Sequence, residues 1–282
     1  MLNFLILDDL IKLALKEDIG HGDITTEAIS PFLKGGEYYF LAKENFILCG
    51  IDIVKRVFWH MNQNIEVEFK KKDGEMVKKG EKFGFVRGDS KYILSAERVS
   101  LNFLQRLSAI ATETNRYVKK LEGTNIKILD TRKTTPGHRM LEKYAVKVGG
   151  GNNHRFGLFD GVMLKDNHID AAGGIKNAVA TVRENIASTI KIEVETRNLK
   201  EVAEAAAAEA DIIMLDNFEI KDIPKAREIA GKKIKLEVSG GVNLKNIETY
   251  KEFDIDYISV GSLTHGIKSV DISLKYGGKY EN

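Results

Sequence analysis

The chain has a single cysteine, Cys49, in 282 residues, so no disulfide can form within it and no cysteine-based zinc cluster is available. A reducing cytoplasm suits such a sequence. It also lacks any apolar run approaching the roughly 18 residues that span a bilayer, which argues against a membrane protein. Net charge is scarce too: 43 basic against 41 acidic residues leave +2. The lysine runs at 70–72 and 78–79 are short and dispersed, as in solvated turns rather than in a stripe that tracks nucleic acid. The leading segment MLNFLILDDLIKLALKEDIG has no basic start and is interrupted by Asp8 and Asp9. It reads as an amphipathic helix with Leu10, Leu13 and Ala14 on one face, not as a secretory signal.

What is present is positive charge gathered in one stretch, residues 126–168. Two short aliphatic runs, Ile126–Asp130 and Gly161–Leu164, are candidate buried parallel strands. The first empties into Thr131, Arg132 and Lys133, the second into Lys165, Asp166, Asn167 and His168. Between them lie Arg139, Lys143, Lys147, three glycines (149–151), then Asn152, Asn153, His154 and Arg155. Cations on loops at one end of a sheet imply a polyanionic ligand.

The pattern recurs. Lys191–Val194 ends in Glu195, Ile212–Leu215 in Asp216, Lys235–Val238 in Ser239, Gly240 and Gly241, and Tyr257–Val260 in Gly261 and Ser262. Leu199–Ala210 and Ile223–Ala230 read as intervening helices, with Asn198 and Asp222 placed to cap them. About six such strands alternating with helices predict an α/β protein with a parallel α/β barrel whose βα loops form the site, either an incomplete parallel α/β barrel or one with two further strands too weak to read in the sequence. The two glycine-bearing loops on consecutive late strands suit a phosphate held by backbone N–H groups. Residues 36–94 differ: strand-like Tyr38–Lys43, Ile65–Phe69 and Lys82–Val86 alternate with Gly-containing turns, giving a smaller N-terminal α+β sheet domain. Part of it resembles biotinyl and lipoyl carrier repeats, but no Met-Lys pair sits on a hairpin, so a structural lid is the better reading. Ser95 reads as the cap of a long helix from Ala96 to about Leu121, with Leu104, Leu107, Ala111 and Val118 buried and Arg98 on another face.

The motifs DTRKTTPG, LEKYAV, GGGNNHR, KDNH, IEVE, LDN, EVSGG and ISVGSLTH, together with EDIGHGDITT near the start, resemble those of the quinolinate phosphoribosyltransferases. The resemblance runs from Glu17 to His265. One departure is His138, where the family usually has Leu. What the resemblance implies is phosphoribosyl transfer from 5-phosphoribosyl-1-pyrophosphate to quinolinate, with decarboxylation to nicotinate mononucleotide, a step of NAD biosynthesis. It implies residues 1–106 as a lid and dimerisation domain on which the tail 266–282 packs, and 107–265 as the catalytic barrel. It also implies a homodimer with shared active sites, or a higher oligomer, in which Arg98 reaches the neighbouring subunit's substrate.

On this reading Thr131, Arg132, Lys133, His154, Arg155, Lys165, Ser239, Gly240, Gly241, Gly261, Ser262 and His265 bind the two polyanions. Lys133, Lys165, Glu195 and Asp216 are the candidate catalytic groups. The arginines have the planar fork for a bidentate grip, and the lysines act as point charges. His154 is expected to donate to a carboxylate or phosphate. Glu195 and Asp216 are acids in a cationic site, which is useful if magnesium sits between them and pyrophosphate; the plain alternative is a pair of salt bridges to Lys133 and Lys165. Two rival functions are a Schiff-base aldolase using Lys165 and a non-catalytic phosphate sensor.

Overall fold

The computed structural model describes residues 2–280. The chain forms two compact units: Met1–Asn115 with Thr135–Gly150 and Gly266–Asn282, and Arg116–Thr134 with Gly151–His265.

In the first unit, α1 (Phe4–Ile19) precedes the short helix α2 (Ile24–Ala28), and β1 (Gly35–Ala42) and β2 (Phe46–Ile47) precede α3 (Ile51–Met61). Strands β3 (Glu66–Phe69), β4 (Met76–Val77) and β5 (Lys82–Asp89) follow, then α4 (Ser90–Lys120). The strand Ile272–Lys279 returns to pair with β1, completing an antiparallel sheet in the order C-terminal strand, β1, β5, β3. Its face is filled by aromatic rings: Phe40 stacks on Phe69 at 5.2 Å between centroids, and Phe83 meets Phe46 edge-on at 5.6 Å.

The first unit departs from expectation in two places, the buried face of α1 and the role of Ser95. Helix α1 buries Leu7, Ile11 and Leu15, while Leu13 is exposed. Apolar residues crowd more than one face of α1, and its place is fixed by Asp8, which grips Arg56 of α3 at 2.5 Å. Ser95 caps nothing: α4 already starts at Ser90, and the Ser95 hydroxyl donates to Asp23 instead. Helix α4 runs unbroken through residue 106. The segment Thr135–Gly150, carrying α5 (Arg139–Val148), groups with the first unit because its polar side chains find partners there. Tyr144 donates to Asp73 at 2.7 Å, and Asp73 also accepts from the Gly50 and Ile51 amides at the start of α3. Buried Glu142 pairs with Arg106 at 2.7 Å. His138 precedes α5 and stacks on Phe103 at 5.9 Å, and burial lowers its pKa, so a neutral imidazole serves there as a packing group.

The second unit is a six-stranded parallel sheet: β6 (Lys127–Leu129), β7 (Val162–Leu164), β8 (Ile192–Thr196), β9 (Ile212–Asp216), β10 (Lys235–Ser239) and β11 (Tyr257–Ser259). The order is β6-β11-β10-β9-β8-β7, a cyclic sequence of neighbours broken only between β6 and β7. The barrel is therefore incomplete, one of the two forms expected, and on the open side Asn152 forms a parallel bridge to Leu129. Helices α6 (Asp166–Ala171), α7 (Ile175–Asn185), α8 (Leu199–Ala207) and α9 (Ile223–Ala230) fill the crossovers. Asn198 caps α8 by accepting from the Glu201 amide at 3.0 Å, whereas Asp222 precedes α9 without a capping hydrogen bond.

Strand alternation decides what faces inward. Ile192, Val194, Ile213, Leu215, Leu236 and Val238 are buried, and they alternate with Glu193, Glu195, Met214, Asp216, Glu237 and Ser239; across the strands Glu195 and Glu237 are level with Met214, Ser239 with Asp216, and Glu193 with Ile212. The first set packs under the helices, so the second lines the interior of the barrel. That interior is unusually polar.

Candidate active site

A cavity of about 780 Å3 opens at the C-terminal ends of the six strands. Thr131, Arg132, Lys133, His154, Arg155, Lys165, Glu195, Asp216, Ser239, Gly240, Gly241, Gly261, Ser262 and His265 all line it. Every barrel residue expected at the site is thus brought together. Arg98 is not among the lining residues; it is exposed on α4, in the other unit.

Each cation is placed by its own support. The Lys133 amide donates to Thr131 Oγ1 at 3.0 Å, and its carbonyl accepts the Thr264 hydroxyl at 2.7 Å. A Cβ on Gly261 would lie 3.1 Å from Lys133 Cδ and 3.3 Å from the His265 ring, so the glycine leaves room for both. Lys165 Nζ sits 2.6 Å from Glu195 Oε2. The salt-bridge alternative is therefore realised for Lys165 and Glu195, while among the described residues no ion pair joins Lys133 to Asp216. Arg155 donates to the Gly161 carbonyl at 3.1 Å, and burial, then the nearby Arg132 charge, lowers its pKa. Two guanidinium groups close enough to repel each other are held ready for an anion.

Four further residues line the cavity or its floor. Asn217 has a left-handed backbone (φ 54°) and binds Asp216 Oδ2 through Nδ2 at 2.9 Å. Its Oδ1 would lie 2.1 Å from a Cβ at position 240, and Gly240 itself has φ +90°, so only glycine fits that loop. The other three are Glu193, Glu237 and Ser259. Their signal in the sequence was parity: Glu193 lies two residues before Glu195, and Glu237 two before Ser239, on the same strand faces.

His154 binds inward rather than outward. Its Nδ1 accepts the Arg155 amide at 2.7 Å, and its Nε2 lies 2.9 Å from Glu193 Oε2 and 3.8 Å from Glu237 Oε2. Both ring nitrogens face protein groups, while the residue itself lines the cavity. His154, Glu193 and Glu237 lie close enough to suggest a metal site. A ligand nitrogen at Nε2 would need a lone pair there, but Nδ1 already accepts a backbone N–H, and a neutral imidazole has only one acceptor nitrogen. The cluster fits a proton, not a cation.

Glu237 is 1% exposed, and burial first, then the Glu193 charge, pushes its pKa up to about 8; His154 and the nearby Ser259 hydroxyl oppose the shift. Neither Glu237 oxygen nor Ser259 Oγ has a partner at ordinary hydrogen-bond distance among the described residues. Folding thus raises this carboxyl from its ordinary 4.5, so the native state binds the proton more tightly than the unfolded chain. Its contribution is intact below pH 4.5 and declines as pH rises toward 8. Relative to Glu237→Gln, the protein is expected to lose up to about 1.4 kcal/mol of stability per pH unit across that window, levelling off above it. Urea unfolding of both proteins at pH 5, 6.5 and 8 measures this, and parallel curves would mean that Glu237 ionises normally.

Comparison with known proteins agrees with this geometry. The profile for the N-terminal domain of quinolinate phosphoribosyl transferase matches residues 23–108, and that for its C-terminal domain matches residues 110–275. A Bacillus subtilis protein described as a probable nicotinate-nucleotide pyrophosphorylase (carboxylating) is 45% identical over 97% of this chain and 94% of its own. A Methanocaldococcus jannaschii protein of the same description is 44% identical over 94% of this chain and 95% of its own. The crystal structure of NadC from Streptococcus pyogenes superposes with a TM-score of 0.94 at 41% identity, covering 98% of this chain and 99% of that one. A split barrel with a cationic mouth, two matched domains and identity at this level over nearly the full length place the chain in the quinolinate phosphoribosyl transferase family.

Proposed function

We infer that this chain transfers the phosphoribosyl group of 5-phosphoribosyl-1-pyrophosphate to quinolinate, releasing pyrophosphate and carbon dioxide and leaving nicotinate mononucleotide. The observation that carries this reading is one cavity presenting Arg132, Lys133, Arg155 and Lys165 together with the glycine loops at 240–241 and 261. Both substrates are polyanions, and a mouth of this size can hold them side by side.

The pyridine nitrogen forms the bond to ribose C1 as the C1–oxygen bond to pyrophosphate breaks. Positive charge builds on the ribose ring at that moment, and Glu195 and Asp216 are placed to oppose it. The bond from C2 to its carboxylate then breaks; the electron pair stays at C2, next to the positive ring nitrogen, and takes up a proton. The protein orients and balances charge, and no protein nucleophile is needed. Lys165 is ion-paired with Glu195 at 2.6 Å, unlike the neutral amine in an apolar pocket that a Schiff-base enzyme requires.

Glu195 and Asp216 also fit magnesium. Lys165 engages one oxygen of Glu195, and Asn217 engages one oxygen of Asp216, in a cavity that must also take pyrophosphate. Such a cation is held by one or two carboxylates, water and phosphate oxygens, and when bound it neutralises the departing pyrophosphate. Glu195→Gln and Asp216→Asn are expected to shift the magnesium concentration for half-maximal rate upward, directly or through lost water-mediated ligation. A magnesium titration of each variant measures this, and unchanged saturation in both would leave the carboxylates as partners of Lys165 and Asn217 only. The single cysteine suits a cytoplasmic enzyme, and a homodimer with shared sites follows the family resemblance. The direct test of function is nicotinate mononucleotide formation by purified protein from quinolinate, phosphoribosyl pyrophosphate and magnesium, with nicotinate assayed in parallel. No product from quinolinate would overturn the assignment.

A further inference from the structure

The buried group beneath the cavity is not used by the chemistry above, yet it touches a residue at the mouth. His154 lines both the upper cavity and a second one of about 320 Å3 that reaches the N-terminal ends of the strands, where Lys127, Lys191 and Tyr257 line it. Glu193 on β8 and Glu237 on β10 both approach the His154 ring, at 2.9 and 3.8 Å from Nε2. The acceptor role of Nδ1 toward the Arg155 amide, at 2.7 Å, requires that the ring proton be on Nε2. An imidazolium would set two N–H donors against each other at that distance. Glu193 Oε2, at 2.9 Å, is the group that takes the Nε2 proton's hydrogen bond.

We infer that Glu193 is a positioning residue for the transfer reaction: it holds His154 in the Nε2–H form, and His154 in turn fixes the Arg155 amide so that the guanidinium stands at the cavity mouth. This rests on the functional reading given above. The remaining restraints in the structure point the same way. The His154 amide donates to Asp130 Oδ1 at 2.9 Å, and Asp130 is fully buried just past β6. Arg155 is held at its far end by the Gly161 carbonyl. The backbone from 154 to 155 is therefore tied on one side to the barrel strand and on the other to the imidazole, and only the imidazole depends on Glu193. Loss of Glu193 frees the ring to rotate or exchange tautomers, and the Arg155 amide loses its acceptor.

The test joins a spectrum to kinetics. In full-length protein labelled with 15N-histidine, the His154 signals, identified by their absence in His154→Gln, are expected to show an unprotonated Nδ1 and a protonated Nε2. Glu193→Ala is expected to give a mixture of tautomers and to raise KM for the anionic substrate gripped by Arg155 about tenfold, with little change in kcat. Glu193→Gln, whose carbonyl still accepts the Nε2 proton, restores both. A protonated Nδ1 in the wild type overturns the inference, even if Glu193→Ala fails to fold. An unmoved KM in a folded Glu193→Ala protein overturns it as well. Wild-type protein that turns over no quinolinate removes the functional reading and this role together, whereas quinolinate turnover with the wrong tautomer or an unmoved KM removes this inference alone.

Discussion

Lys133→Ala and Arg155→Ala are each expected to cut kcat/KM by roughly 10- to 150-fold, because a lost hydrogen bond to a charged group costs about 1.5–3 kcal/mol. Lys133 follows β6 and Arg155 stands on the segment between α5 and β7, and each has its own support, Thr131 and Thr264 for Lys133 and Gly161 for Arg155. Independent sites add in free energy, so the double variant should fall by the product, roughly 10²- to 10⁴-fold. The fold should survive, because neither residue belongs to the buried core. Removing Arg155 also relieves its repulsion with Arg132, which trims the loss at that position. Steady-state kinetics with each substrate varied in turn, beside circular dichroism, decide the matter. Near-normal kinetics in both single variants would take these residues out of the site.

The site was legible from the sequence because its cations stand where buried strands end. In a parallel barrel each strand is aliphatic and covered on both faces, so the first polar residue after it marks the mouth. Arg132, Lys133, Lys165 and the glycine pairs all obey that rule, and all line one cavity. The rule fails one layer down. Glu193 in IEVE and Glu237 in LEVS share a strand face with Glu195 and Ser239, but parity alone does not tell a carboxylate buried beneath the ligand from one that faces solvent. Only the register, which sets Glu193 level with Ile212 and Glu237 with Met214, puts them in the barrel interior.

The grouping of segment 135–150 with the first unit was hidden in the sequence for a related reason. It lies between two site motifs in the chain, yet its partners Asp73 and Arg106 are 71 and 36 residues away from the side chains they bind. Long-range pairs of that kind leave no periodicity in the sequence. The α1 face was lost differently. Its apolar residues cover too much of the helix for spacing to pick one stripe, and packing selected Leu7, Ile11 and Leu15.

Mixing Arg98→Ala protein with Lys165→Ala protein is expected to restore activity that neither has alone. Arg98 is an exposed arginine on α4, outside the cavity lining, while Lys165 stands inside it. The family resemblance assigns Arg98 to the neighbouring subunit's substrate, and a two-fold dimer built that way carries two composite sites. The chemistry supports the need for such a cover, because a ribosyl group with developing positive charge must be shielded from water. In a mixed dimer, the barrel that keeps Lys165 belongs to the Arg98→Ala chain and receives an intact Arg98 from its partner. The other barrel lacks both groups. Random exchange at equal amounts makes half the dimers mixed, each with one working site of two, so activity should approach about one quarter of wild type. Exchange is followed by native mass spectrometry of a tagged chain, and activity by nicotinate mononucleotide formation. Demonstrated exchange with no recovered activity would mean that Arg98 serves its own chain or packing alone.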